Sequence, residues 1–177
     1  MNFVNDAHIP DLVIIDPRVF DDNRGYFFES FRQDLFEENV RKIHFLQDNE
    51  SKSSFGVLRG LHYQIPPFAQ AKLVRVVVGE ILDVAVDIRE GSATYGQHAS
   101  VVLSAENKKQ LFIPEGFAHG FVVLSPEAIV QYKVNARYSR EHERGIRFDD
   151  PALGIDWLLE PSKLIISEKD AALPELG

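Results

Sequence analysis

The chain has 177 residues, a formal net charge of −8 and no cysteine. That length suits one domain, spanning 1–177, large enough to bury roughly two-thirds of its unfolded surface and to hold a core without staples. The composition excludes a disulfide framework and thiolate metal sites, the acidic balance disfavours a nucleic-acid partner, and no segment approaches the ~18 consecutive apolar residues of a membrane span. With no basic and apolar leader at the N-terminus, a cytoplasmic protein with no membrane partner is expected.

Short apolar runs separated by turn residues follow one another along the chain. Strands are predicted over 12–15, 25–31, 45–49, 57–63, 73–78, 81–88, 97–103, 111–113, 117–124 and 129–135. A helix is predicted over 34–40, and a second begins near Ser167. This density of strands favours a sandwich or barrel, and the Pro66-Pro67 pair reads as a turn rather than a linker.

Alternation assigns the faces. In 130–135 the side carrying Val130, Tyr132 and Val134 is apolar, so Tyr132 is expected to point inward. His119 shares a face with Phe117, Phe121 and Val123, and Lys72 shares one with Val74, Val76 and Val78. Ionisable groups placed among hydrophobes are costly unless they are paired, which points to a shared interior site. One difficulty stands out. Arg59 and His62 are three positions apart and fall on opposite faces of a regular strand, unless Gly60 marks a bulge.

No nucleophile elbow, phosphate-binding glycine loop, dinucleotide fingerprint or HExxH helix is present. Metal-binding jelly rolls of the cupin type usually carry a His-x-His pair, whereas the segment here reads His62-Tyr63-Gln64, so an amide would have to replace an imidazole. No metal and no cofactor is expected. What remains is a set of His, Tyr, Lys and carboxylate side chains, which suits proton transfer at carbon next to a carbonyl. An imidazole with an ordinary pKa near ~6.5 is a suitable base, a phenol can donate a proton, and a cation can stabilise an enolate oxygen.

The segments Val19-Phe20-Asp21-Asp22-Asn23-Arg24-Gly25-Tyr26-Phe27, Gly56-Val57-Leu58-Arg59-Gly60-Leu61-His62-Tyr63-Gln64, Lys72-Leu73-Val74-Arg75-Val76, Ile113-Pro114-Glu115-Gly116-Phe117-Ala118-His119-Gly120-Phe121, Asp150-Pro151-Ala152-Leu153-Gly154-Ile155-Asp156-Trp157 and Ser167-Glu168-Lys169-Asp170-Ala171 occur in this order. In these segments the chain resembles the dTDP-4-dehydrorhamnose 3,5-epimerase family. The resemblance implies a mainly β, cupin-type jelly roll with a few short helices, working as a homodimer that exchanges an N-terminal strand. It also implies a dTDP-sugar substrate, dTDP-4-dehydro-6-deoxy-D-glucose, inverted at C3 and C5 through the C4 ketone on the way to dTDP-L-rhamnose for cell-surface polysaccharide such as O antigen.

By the same resemblance His62 is the base, Asp170 the carboxylate that orients it, Tyr132 the opposite-face acid and Lys72 the cation at the C4 oxygen. Arg24, Arg59 and His119 would hold diphosphate or sugar, while Glu29, Gln47, Asn49, Tyr138, Glu143 and Lys169 would contact substrate. The residues by themselves allow plainer roles. Asp170 closes a Ser167-Glu168-Lys169-Asp170 capping box, an inward Tyr132 is compatible with core packing, and Lys72 could snorkel from a strand edge. The chain departs from the family's usual pattern at Glu50, Arg137 and Leu158, which leaves open a single-centre epimerase of another dTDP-4-keto-6-deoxy sugar. A non-catalytic sugar-nucleotide-binding cupin also remains open.

Overall fold

The apolar faces assigned by alternation meet as two antiparallel sheets in the computed structural model, which describes residues 1–177. In chain order the elements are β1 (Asn2–Asn5), β2 (Val13–Asp16), β3 (Phe20–Asp22), β4 (Gly25–Phe27), α1 (Gln33–Asn39), β5 (Gln47–Ser54), β6 (Leu58–Gln64), β7 (Lys72–Val78), β8 (Glu80–Asp87), β9 (His98–Ser104), β10 (Gln110–Ile113), β11 (Phe117–Val123), β12 (Glu127–Val134), β13 (Glu143–Gly145) and α2 (Glu168–Ala171). The six-stranded sheet runs β1-β2-β10-β7-β12-β5, the five-stranded sheet runs β13-β6-β11-β8-β9, and β3-β4 forms a separate hairpin. Neighbours in the sheets are mostly distant in sequence, as expected for a jelly roll.

The main core lies between the sheets. Val74, Val76, Leu111 and Val130 come from one side, and Ile81, Leu103, Phe117 and Phe121 from the other. The outer face of the five-stranded sheet is covered by the C-terminal segment through Ile146, Leu153 and Trp157. On the other sheet, α1 buries Phe36 against Phe112 with ring centroids 5.2 Å apart. Because both faces of β8 are covered, all but its first residue are buried and its apolar run is nearly continuous.

Several sequence expectations change. The strand expected over 25–31 stops at Phe27, and the chain turns toward α1. β5 extends to Ser54, well past the predicted Asn49, because it is a polar edge strand held by eight register pairs to β12 rather than by apolar burial. Val78 is 37% exposed instead of facing inward, since the β7-β12 register shifts between Ile129 and Val130. β1 and β13 carry no apolar alternation and are defined by their pairing with β2 and β6.

The irregularity expected at Gly60 is present. Opposite β11, the register passes from His119↔His62 to Phe121↔Arg59, so Gly60 and Leu61 oppose Gly120 alone. Gly60 has φ +130°, and an added Cβ would sit 2.5 Å from the Gly120 Cα and 2.9 Å from the His119 carbonyl oxygen. The bulge therefore needs glycine twice over, for its backbone angle and for its close approach. Gly60→Ala is expected to destabilise the fold by about 2 kcal/mol or more, read from urea denaturation. A loss within error of zero would show that β6 relaxes without the bulge.

Candidate functional site

The bulge on β6 brings Arg59 and His62 to one side of the strand, and both line a cleft of about 320 Å³ at one edge of the space between the sheets. Its floor is formed by Lys72 of β7, His119 of β11 and Tyr132 of β12. A second cleft of about 360 Å³ shares His62, Lys72 and Tyr132 with the first and continues to Gln47, Asn49 and Tyr138. The five-stranded sheet thus supplies both histidines, while the facing sheet supplies Lys72 and Tyr132.

His62 Nε2 lies 2.7 Å from Asp170 Oδ1, with the His62 side chain 29% exposed and that of Asp170 only 6% exposed. The second carboxylate oxygen accepts the Gly60 backbone N–H at 3.3 Å. Asp170 reaches this position from α2, whose N-terminus is capped by Ser167 Oγ accepting the Asp170 N–H at 3.1 Å. Only half of the expected capping box forms, because the Asp170 carboxylate does not return to the Ser167 N–H. Ser167 caps the helix, and the Asp170 carboxylate is left for His62.

His119 is buried, with Nε2 2.8 Å from Asp83 Oδ1. Desolvation holds its pKa below the ordinary imidazole value despite the nearby Asp83 charge. On its other side, His119 Nδ1 is 3.4 Å from Lys72 Nζ, which also reaches the His62 carbonyl oxygen at 3.4 Å. Desolvation depresses the Lys72 ammonium to about 8, opposed by Asp83 and Glu143. Desolvation also raises the Tyr132 phenol, which keeps it protonated at neutral pH.

At the rim, Glu143 accepts hydrogen bonds from Tyr138 OH at 2.9 Å and Lys169 Nζ at 2.7 Å. Desolvation would raise the Glu143 carboxyl, but these two bonds prevail and hold it low. Arg59 Nε donates to Ser53 Oγ at 3.0 Å, and Gln47 Nε2 donates to Asn49 Oδ1 at 2.7 Å. Gln64, at the second position of the would-be metal pair, spends its amide on the backbone. Its NH₂ donates to the Phe68 and Arg137 carbonyls, and its oxygen accepts the Ser139 N–H. No group of three His, Cys, Asp or Glu side chains is placed to hold a metal ion.

Arg24 and Glu29 are not brought to the cleft within the chain. Arg24 pairs with Asp22 on the β3-β4 hairpin with its side chain 85% exposed, and Glu29 lies 3.7 Å from Arg32. Sequence reasoning missed Asp83. The available signal was a carboxylate inside the apolar run of β8, on the same face as Ile81 and Ala85.

The geometry can be set beside known proteins. A family profile described as dTDP-4-dehydrorhamnose 3,5-epimerase matches residues 6–177. The dTDP-4-dehydrorhamnose 3,5-epimerase of Shigella flexneri is 57% identical over 171 residues, which is 96% of this chain and 93% of that protein. Among solved structures, a dTDP-6-deoxy-D-glucose-3,5-epimerase from Legionella pneumophila Philadelphia 1, in complex with dTDP-4-keto-L-rhamnose, matches with a TM-score of 0.95 and 50% identity, covering 99% of this chain and 92% of that one. A double mutant of a 3'-monoepimerase from Streptomyces bikiniensis, in complex with dTDP, matches with a TM-score of 0.89 and 30% identity, covering 98% and 87%. Fold and sequence agree over nearly the whole chain, which belongs to the dTDP-4-dehydrorhamnose 3,5-epimerase family of cupin-like carbohydrate epimerases.

Proposed function

We propose that this protein is a cofactor-independent dTDP-4-dehydrorhamnose 3,5-epimerase acting in dTDP-L-rhamnose synthesis in the cytoplasm. The observation that carries the reading is one cleft holding a carboxylate-paired imidazole on one sheet and a protonated phenol with a partly desolvated ammonium on the facing sheet. His62, oriented by Asp170, takes the proton from C3 or C5, both of which flank the C4 ketone. Negative charge then develops on the C4 oxygen, where Lys72 stabilises it. Tyr132 returns a proton on the opposite face, which inverts the centre.

Arg59 at the rim suits the diphosphate, with its guanidinium available for bidentate contacts. Gln47, Asn49, Tyr138, Glu143 and Lys169 border the continuation of the cleft or its rim and suit sugar and nucleotide. A single-centre epimerase is the second reading, favoured by the likeness to the 3'-monoepimerase. The lower identity of that relative, 30% against 57%, places the two-centre reading first.

The protein works as a homodimer in this reading, with the partner supplying Arg24 and Glu29. The N-terminal β1 is already paired with β2 of its own chain, so the element free for exchange is the β3-β4 hairpin. Phe20, Tyr26 and Phe27 on that hairpin are 49%, 56% and 67% exposed, an apolar surface suited to burial against a second copy.

Incubation of chelator-treated enzyme with dTDP-4-dehydro-6-deoxy-D-glucose in deuterated water is expected to label both C3 and C5, read by NMR. Label at C3 alone would select the single-centre reading, and no label at either carbon would end both. His62→Ala is expected to lower kcat by about 10³-fold or more, while Tyr132→Phe impairs net inversion more than proton exchange. As pH rises, kcat/KM is expected to fall near pH 8, where Lys72 loses its proton. Arg24→Ala and His62→Ala subunits, each inactive alone, are expected to regain activity when co-expressed, because one site of the mixed dimer then has both residues. Absence of rescue would place Arg24 in its own subunit's site or outside any site.

A further inference from the structure

We propose that Asp83 and His119 are positioning residues for Lys72. Asp83 fixes His119 as the Nε2–H tautomer, so that Nδ1 accepts a hydrogen bond from the Lys72 ammonium and one ammonium N–H is left to meet the substrate's ketone oxygen. This rests on the reading of Lys72 given above.

Hydrogen-bond bookkeeping at three atoms carries the inference. Asp83 is fully buried, with Oδ1 2.8 Å from His119 Nε2 and Oδ2 without any partner in the chain. An ionised carboxylate only accepts, so the shared hydrogen belongs to Nε2. The reverse assignment, a protonated Asp83 donating to a bare Nε2, would put an Nδ1–H against the Lys72 ammonium 3.4 Å away, donor against donor. A doubly protonated ring would do the same. Only a neutral ring with its proton on Nε2 satisfies both neighbours, and burial favours that neutral form.

The ammonium has three donors. One is directed to His119 Nδ1 and one to the His62 carbonyl oxygen, each at 3.4 Å, and both acceptors belong to the five-stranded sheet. Two fixed acceptors set the direction of the third N–H, toward the cleft that Lys72 shares with His62 and Tyr132.

Charge balance singles out Asp83 as the counter-ion. The titratable groups around Lys72 are Arg59, His62 and Tyr63 of β6, Asp83 of β8, His119 of β11, Tyr132 of β12, Tyr138, Glu143 of β13, and Lys169 and Asp170 of α2. Glu143 is bonded to Lys169 and Asp170 to His62. Asp83 is the anion whose only bonded partner is a neutral ring, so its charge is available to hold the ammonium in its protonated form.

The alkaline limb of the kcat/KM profile tests the proposal. Lys72 must be protonated to stabilise the enolate, so activity is lost as pH rises through its pKa. Removing the Asp83 charge lowers that pKa. Asp83→Asn is therefore expected to move the limb to lower pH by about one unit and to lower kcat by about 10- to 100-fold, with KM little changed. A uniform loss at every pH with the limb in place would overturn the proposal. A second measurement needs neither the variant nor the reaction. The ¹⁵N imidazole spectrum of the unmodified protein is expected to show His119 as the neutral Nε2–H tautomer between pH 6 and 8, and an Nδ1–H or doubly protonated ring would overturn the proposal. If the protein fails to turn over the dTDP-sugar, the functional reading falls while the tautomer result still stands or fails by itself.

Discussion

The pairing of Asp170 with His62 is the interaction on which the rest of the structure depends. A carboxylate that is 4% exposed is expensive to keep ionised without partners, by several kcal/mol even after relaxation. Its partners, the His62 ring and the Gly60 N–H, lie more than a hundred residues earlier, so the C-terminal segment has to cross the outer face of the five-stranded sheet to bring Asp170 to them. That crossing is itself supported by packing, since Ile146, Leu153 and Trp157 bury apolar surface against β6, β8 and β11 on the way. Both partners depend in turn on the bulge at Gly60. A regular β6 would turn His62 and Arg59 to opposite faces and would alter the position of the Gly60 N–H. One glycine, one helix cap and one buried histidine–aspartate hydrogen bond are therefore a single device.

An interior that carries two histidines, a lysine, a tyrosine and two aspartates is a poor way to stabilise a β-sandwich. The fold tolerates it by pairing charges locally and by surrounding them with apolar side chains from both sheets. Asp83 and Lys72 offset each other through His119, and Asp170 is matched by His62 and a backbone amide. The desolvation that makes the site costly also depresses the Lys72 ammonium toward neutral pH and keeps the Tyr132 phenol protonated. Stability given up in the cleft is repaired elsewhere, in the aromatic cluster of Phe31, Phe36, Phe45 and Phe112 and in the main inter-sheet core.

Much of this is legible in the sequence, and the parts that are not share a physical reason. Alternation places Tyr132, His119 and Lys72 inward because Val130 and Val134, Phe117 and Phe121, and Val74 with Val76 share their faces and are buried. The three-residue spacing of Arg59 and His62 puts them on opposite faces of a regular strand, and Gly60 between them is the signal for the bulge that the β6-β11 register then shows. The pattern fails where burial is not the organising force. β5 is stabilised by its ladder with β12, and the short β1 and β13 are defined only by the strands they pair with. Asp170 is ambiguous in one dimension because Ser167 caps its backbone while its side chain serves a strand far earlier in the chain. Arg24 and Glu29 lie outside the cleft of this chain, engaged with Asp22 and Arg32 close by in sequence, and alternation carries no information on such exposed residues.

The two histidine–aspartate pairs show how one motif is given two tasks by exposure and by the fate of the second ring nitrogen. His62 and His119 face each other in the β6-β11 register, and each has an aspartate against Nε2 at nearly the same distance. The His62 side chain is 29% exposed and lines both clefts, so its Nδ1 can exchange a proton with something outside the protein. His119 is 8% exposed and has Lys72 at Nδ1, so neither nitrogen is open to a carbon acid. A ring with both nitrogens committed can transmit orientation and charge but cannot serve as the base. The division of labour follows from burial and hydrogen-bond count, and it is invisible in a sequence where both residues appear as histidines framed by glycine and apolar side chains.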